Sequence, residues 1–130
     1  MKHVIIGAGV VLAFCLMAAG TAFGQGSEGK LLRHVVCIKF KAGTSPEQIK
    51  TVEQAFRSLK TKIPQISSLE WGLNNSAEGR NKGFTHCFIL GFKSDSDRAA
   101  YLPHSAHKAF GQVLGPVMDD VFVIDFWAQE

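Results

Sequence analysis

Two of the chain's five histidines fall in one ten-residue stretch, YLPHSAHKAF, running from Tyr101 to Phe110. Histidines three apart share one face of a helix, so His104 and His107 raise two chemistries at once. One is metal ligation, since His34, His86, His104 and His107 could furnish a three-histidine site with an open position. The other is proton transfer. A neutral imidazole near pH 7 is a good general base, and a tyrosine hydroxyl can donate a hydrogen bond to a developing enolate. His107 and Tyr101 are therefore the candidate catalytic pair, as base and donor, for removing a proton beside a carbonyl. Metal is disfavoured because no carboxylate accompanies the histidines: Asp95, Asp97 and Asp119 read as cap or surface residues. No metal and no cofactor are expected. Nucleophilic catalysis finds no support either, because GxSxG is absent and Cys37 and Cys87 sit inside apolar strand patterns.

The elements that must position these groups follow from periodicity. Leu31 to Lys41 alternates, with His34, Val36, Ile38 and Phe40 on one face and Val35, Cys37, Lys39 and Lys41 on the other, which predicts a strand. Ser45 as N-cap, Pro46 at the first turn and Gln48 as the capping-box partner open a helix. Ile49, Val52, Phe56, Leu59 and Ile63 form its apolar stripe, and it must stop before Pro64. A short strand is expected over Ile66 to Trp71, then an exposed polar loop from Gly72 to Gly83. Phe84 to Phe92 alternates again, placing His86 with Phe84, Phe88, Leu90 and Phe92. A helix capped by Ser94 or Asp95 runs to Tyr101, Pro103 interrupts it, and a second segment continues to Gly115-Pro116. Val121 to Trp127 is the last strand. Asp125 alternates there with Val123 and Trp127, and is read either as a paired core acid or as a barrel-interior group.

Four strands and two helices in βαββαβ order give an α+β, ferredoxin-like fold, an antiparallel sheet with helices on one face. Val35, Cys37 and Ile89 leave the opposite face too apolar for water. A second copy of the same sheet is the simplest cover, which predicts a homodimer through the sheet face. His34 and His86 lie on the helix-facing side, where burial favours the neutral ring. Each alone reads as a core histidine; together with helix residues they read as the polar lining of a small-ligand pocket. Pro103 makes His104 a helix-entry residue, structural or supporting His107.

Composition bounds the rest. The 130 residues fit one domain. Lys2, the apolar run from Val4 to Ala19 and the small residues Ala22 and Gly24 predict a signal peptide over residues 1–24, removed on export to the periplasm or outside. Residues 25–30 are a flexible lead-in, and residues 31–128 form the domain. Without Lys2 the formal charge of +3 falls by one, the lysines are scattered, and neither nucleic acid nor, after cleavage, a membrane is expected as partner. Cys37 and Cys87 could bridge in an oxidising compartment; buried thiols are the favoured reading, and the bridge stays open.

The segments RHVVCIKFK, IPQISSLEWG, NKGFTHCFILGF, YLPHSAHKAF and VFVIDFW, in that order and spacing, resemble the stress-responsive dimeric α/β-barrel (Dabb) family. The resemblance spans Leu31 to Trp127, and GFTH followed by YLPHxAH makes it specific. It implies two ferredoxin-like sheets facing each other in a dimeric barrel, and most members have no assigned reaction. One plant member is a polyketide cyclase that needs no metal or cofactor. Its catalytic histidine and tyrosine match His107 and Tyr101, and two of its pocket histidines match His34 and His86. His104 matches a histidine of an HPAH motif in which this chain has Ser105 instead of proline. Phe56 stands for a tyrosine, Glu53 for an aromatic pocket residue, and Phe88 and Met118 for residues of other sizes, so a different ligand is implied.

Two functions remain in play. The first is an exported, homodimeric small-molecule-binding or stress-related module, taking a small apolar or carbonyl ligand. The alternative is a cofactor-free cyclase or lyase acting on a small carbonyl compound, with His107 as general base and Tyr101 as donor. The pocket residues are the same in both: His34, His86, His104, Phe56 and Phe88.

Overall fold

The computed structural model describes residues 29–129. The expected signal peptide and most of the lead-in therefore lie outside the described residues. Strand β1 (Leu32–Phe40) is followed by helix α1 (Pro46–Lys62), strands β2 (Ser68–Leu73) and β3 (His86–Phe92), helices α2 (Asp95–Tyr101) and α3 (Ser105–Leu114), a 3₁₀ turn (Gly115–Val117) and strand β4 (Met118–Trp127). The strands form one antiparallel sheet in the order β2-β3-β1-β4. This is the ferredoxin-like arrangement expected, with the second helix broken where Pro103 stands. Among the described residues no helix is long and apolar enough to cross a membrane.

Local chemistry explains the boundaries. The capping box forms as read: the Gln48 amide donates to Ser45 Oγ at 3.2 Å, and the Ser45 amide donates to Gln48 Oε1 at 2.9 Å. Ser94, not Asp95, caps α2 by accepting from the Asp97 amide. Strand β2 begins two residues later than expected. Ile66 is buried in the core, but its amide bonds back to the Ile63 carbonyl in the turn after α1, so it is unavailable to the ladder.

The helix-facing side of β1 and β3 is packed as its alternation demands. Leu32, Val36 and Ile38 meet Phe88, Leu90 and Phe92 beneath Val52, Phe56 and Leu59 of α1, Tyr101 of α2, and Phe110 and Leu114 of α3. Phe56 and Phe88 stack with centroids 3.9 Å apart, and Phe110 meets Phe56 edge-on at 4.8 Å. Burying aromatics of this size contributes about 1.5–3 kcal/mol each, so this triplet anchors the sandwich.

The other face of the sheet is bare. Phe122 is 51 % exposed, Ile124 48 % and Phe126 47 %, beside half-buried Val35, Cys37, Cys87 and Ile89. Strand β4 is an edge strand that the helices leave largely uncovered, so Val121 and Val123 on its helix side are exposed as well. Cys37 and Cys87 are free thiols, but only half-buried, because their face has no second layer.

Candidate active site

The register decides which polar groups meet. His34 pairs with Leu90 and His86 with Ile38, four residues further along β1. At the rise of a strand this puts the two histidines about 13 Å apart along the sheet. Between them lie Val36, Phe88 and the overlying Phe56, all buried. The two histidines thus share a face of neighbouring strands, as read from sequence, yet belong to separate clusters divided by a filled aromatic layer. Phe56 and Phe88 form that divider.

The first cluster holds three of the candidate residues. His34 Nδ1 lies 2.7 Å from Asp125 Oδ1, and the carboxylate's other oxygen accepts from Arg98 of α2 at 2.7 Å. Arg98 also reaches Asp95 at 3.1 Å. A carboxylate can only accept, so Nδ1 of His34 carries the proton donated to Asp125. The Tyr101 ring meets His34 edge-on at 5.6 Å, Phe92 at 5.2 Å, and His107 with ring centroids 4.4 Å apart. Tyr101 is 1 % exposed, and burial followed by the Asp125 charge pushes its phenol well above the ordinary value. It is therefore a protonated donor at neutral pH.

His107 sits one turn into α3 and remains partly exposed. Its Nδ1 lies 2.9 Å from the Leu102 carbonyl, an acceptor only, so Nδ1 is the donor and Nε2 of the neutral ring keeps its lone pair. Pro103 makes this possible: α2 ends at Tyr101, the chain turns, and Leu102 turns its carbonyl to the incoming helix. His104 is itself the N-cap of α3, with Nδ1 accepting from the Ala106 amide at 3.1 Å. It thus stands at the helix entry, where its place after Pro103 put it.

The second cluster surrounds His86. Its Nε2 lies 2.9 Å from Glu53 Oε1 and its Nδ1 2.8 Å from Thr85 Oγ1. A neutral ring satisfies both, donating to Glu53 and accepting from the threonine hydroxyl, which leaves neither nitrogen spare. Phe40, Trp71 and Phe88 pack around it. Among the described residues no three His, Cys, Asp or Glu side chains converge as metal ligands.

Neither Tyr101 nor His107 lines the clefts that open elsewhere among the described residues. One of about 680 Å³ is bordered by Lys30, Arg33 and Lys93, and one of about 510 Å³ by Lys60, Gln65 and Asp97. The third, about 340 Å³, lies over the bare sheet face between Cys37, Gly72, Cys87 and Phe122.

The profile of the Stress responsive A/B Barrel Domain matches residues 32–128. The chain belongs to the Dabb family. Among its relatives is the stress-response A/B barrel domain-containing protein HS1 of Arabidopsis thaliana, 34 % identical over 95 residues, covering 73 % of this chain and 87 % of that protein. Olivetolic acid cyclase of Cannabis sativa is 24 % identical over 95 residues, covering 73 % of this chain and 94 % of the cyclase. Two solved structures share the fold. Hydroxynitrile lyase from Passiflora edulis superposes with a TM-score of 0.73 at 23 % identity, covering 78 % of this chain and 96 % of the lyase. A dimeric ferredoxin-like protein of unknown function from Thermobifida fusca gives 0.67 at 20 % identity, covering 78 % of this chain and 93 % of that one.

Within this Dabb chain, sequence reasoning missed Arg98 and left Asp125 open. The strand alternation grouped Asp125 with Val123 and Trp127, and the pairing of His34 with Asp125 puts that set on the helix-facing side. Its pairing with His34 across the β1–β4 ladder would have followed only from knowing the register. Arg98 carries a weaker signal, three residues before Tyr101 on the same helix face.

Proposed function

We propose that this chain is an exported, homodimeric Dabb module that holds a small carbonyl-bearing molecule at the Tyr101–His107 end of its helical layer. The observation that carries the reading is His107. Its Nδ1 is committed to the Leu102 carbonyl, which leaves Nε2 as an acceptor on a partly exposed ring beside the protonated Tyr101. Paired donor and acceptor groups at the rim of an apolar core suit a ligand with one carbonyl and an adjacent hydroxyl or acidic C–H. His34, held by the Asp125 carboxylate that Arg98 also bonds, meets the Tyr101 ring edge-on. The bare apolar sheet face supports the dimer, as does the dimeric state of the related Thermobifida structure. The charged, apolar and small-residue pattern of residues 1–24 supports export.

A second reading is favoured by the same nitrogen. A fixed Nε2 lone pair next to a phenol donor is the equipment for moving a proton beside a carbonyl, and two similar proteins are named as a cyclase and a lyase. In that reading His107 is the base, Tyr101 steadies the oxyanion, and no cofactor takes part.

A thermal-shift screen with small aldehydes, ketones and hydroxynitriles tests the site. A ligand that binds the folded chain raises Tm by mass action, and the response should vanish in His107→Ala and shrink in Tyr101→Phe. Equal responses in all three proteins would place the ligand elsewhere. Turnover of any responding compound, lost in His107→Ala, would select the enzymatic reading over simple binding.

A further inference from the structure

Cys37 and Cys87 are direct partners across β1 and β3, and the ladder shows what kind of partners. Ala128 donates its amide to the Leu31 carbonyl, which turns the backbone of the odd-numbered β1 residues toward β4. The even-numbered residues must then bond to β3, and the Ile38 carbonyl does accept from the Thr85 amide. Cys37 and Cys87 therefore form a non-hydrogen-bonded pair, in which Cα atoms approach to about 4.5 Å and side chains on one face lie closest. That falls inside the roughly 4.4–6.8 Å window of natural disulfides. The neighbouring β2 position opposite Cys87 is Gly72, and a Cβ built there meets nothing within 4 Å. The missing side chain opens the cleft of about 340 Å³ over both sulfurs, bordered by Leu73, Phe84 and Phe122.

We propose that Cys37 and Cys87 form a reversible cross-strand disulfide by exchange with a small soluble disulfide entering over Gly72, in the protomer before a second copy covers this face. One cysteine thiolate attacks the incoming disulfide, forming a mixed disulfide and releasing one small thiol. The other cysteine then attacks the sulfur of the first, the protein disulfide closes, and the second small thiol leaves. Two electrons pass to the oxidant, and the two cysteine protons end on the departing thiols. Burial, the Cys37 neighbour and Glu70 push the Cys87 thiol up to about 11, so it is rarely ionised at neutral pH. Closure joins the two central strands across a loop of about fifty residues that contains α1 and β2. The inference is independent of the Tyr101–His107 site, which lies on the opposite side of the sheet.

The experiment treats the full chain with oxidised glutathione and maps its peptides without reduction. The expected product links Cys37 to Cys87 within one chain, with the mass loss of two hydrogens. Its Tm should rise by on the order of 10 °C and return to the starting value with dithiothreitol. Cys87→Ser should stop at a glutathione adduct on Cys37. Cys37→Ser should stop at an adduct on Cys87, and Gly72→Leu should slow the linkage in the parent chain. Three results would overturn the proposal: a lasting glutathione adduct in the parent chain, linkage between chains on a non-reducing gel, or thiols that react only after unfolding in denaturant.

Discussion

Tyr101 is the chain's only tyrosine, and its environment is the most consequential single-residue fact. Burial and the nearby Asp125 charge raise its phenol above the ordinary 10.0 in the folded state. The unfolded chain has no such environment, so between pH 10 and the raised value it releases a proton that the folded chain keeps. The stabilisation is thus complete below pH 10 and is lost as pH climbs above it. Alkaline urea titrations should show stability falling with pH in the parent chain and falling less steeply in Tyr101→Phe. Phenolate absorbance reports the same residue directly, and a midpoint near 10 in the native protein would contradict the buried placement. At this scale the sequence placed His34 and His86 on the helix-facing side of their strands, where both are buried. It could not show that His86 is saturated by Glu53 and Thr85 while His107 keeps a nitrogen spare. That difference depends on partners 33 residues away in one case and five in the other.

At the scale of elements, local chemistry was legible wherever local chemistry decides. The Ser45–Gln48 box and the Pro103 break form where sequence put them, because caps and proline act within one turn. What α1 buries against was less visible. Phe56 reads as one more residue of an apolar stripe, but in the structure it stacks on Phe88 and seals the layer between the two histidine clusters. Phe56→Ala should cost about 3–5 kcal/mol in urea unfolding, and the cavity it leaves would connect the His34 and His86 ends. A cost under about 1 kcal/mol would mean that the layer collapses easily and does not divide them.

At the scale of the whole molecule, the unpaired side of the sheet is the dominant feature. Its exposed Phe122, Ile124 and Phe126, continuous with Val35 and Ile89, are costly to leave in water. Ile124→Asp places a charge in the middle of this patch. If a second copy covers the face, sedimentation should show the parent chain as a dimer and the variant as a folded monomer, with helix and strand signals retained in circular dichroism. A parent chain that sediments as a monomer would remove the dimer from the proposed function.

The sequence alone determined the order of elements, the faces of the strands, the capped and broken helices and the family. The elements rest on periodicity and on residues within a few positions of one another, and the family on the resemblance of segments spread over the whole domain. Only the tertiary structure decided the grouping of the polar residues. Strand register set His34 against Asp125 and left His86 four positions away, and the core between them filled with Phe56 and Phe88. The same register faced Cys37 with Cys87. Register is a property of two strands together, so one strand's alternation can assign a residue to a face but not to a neighbour.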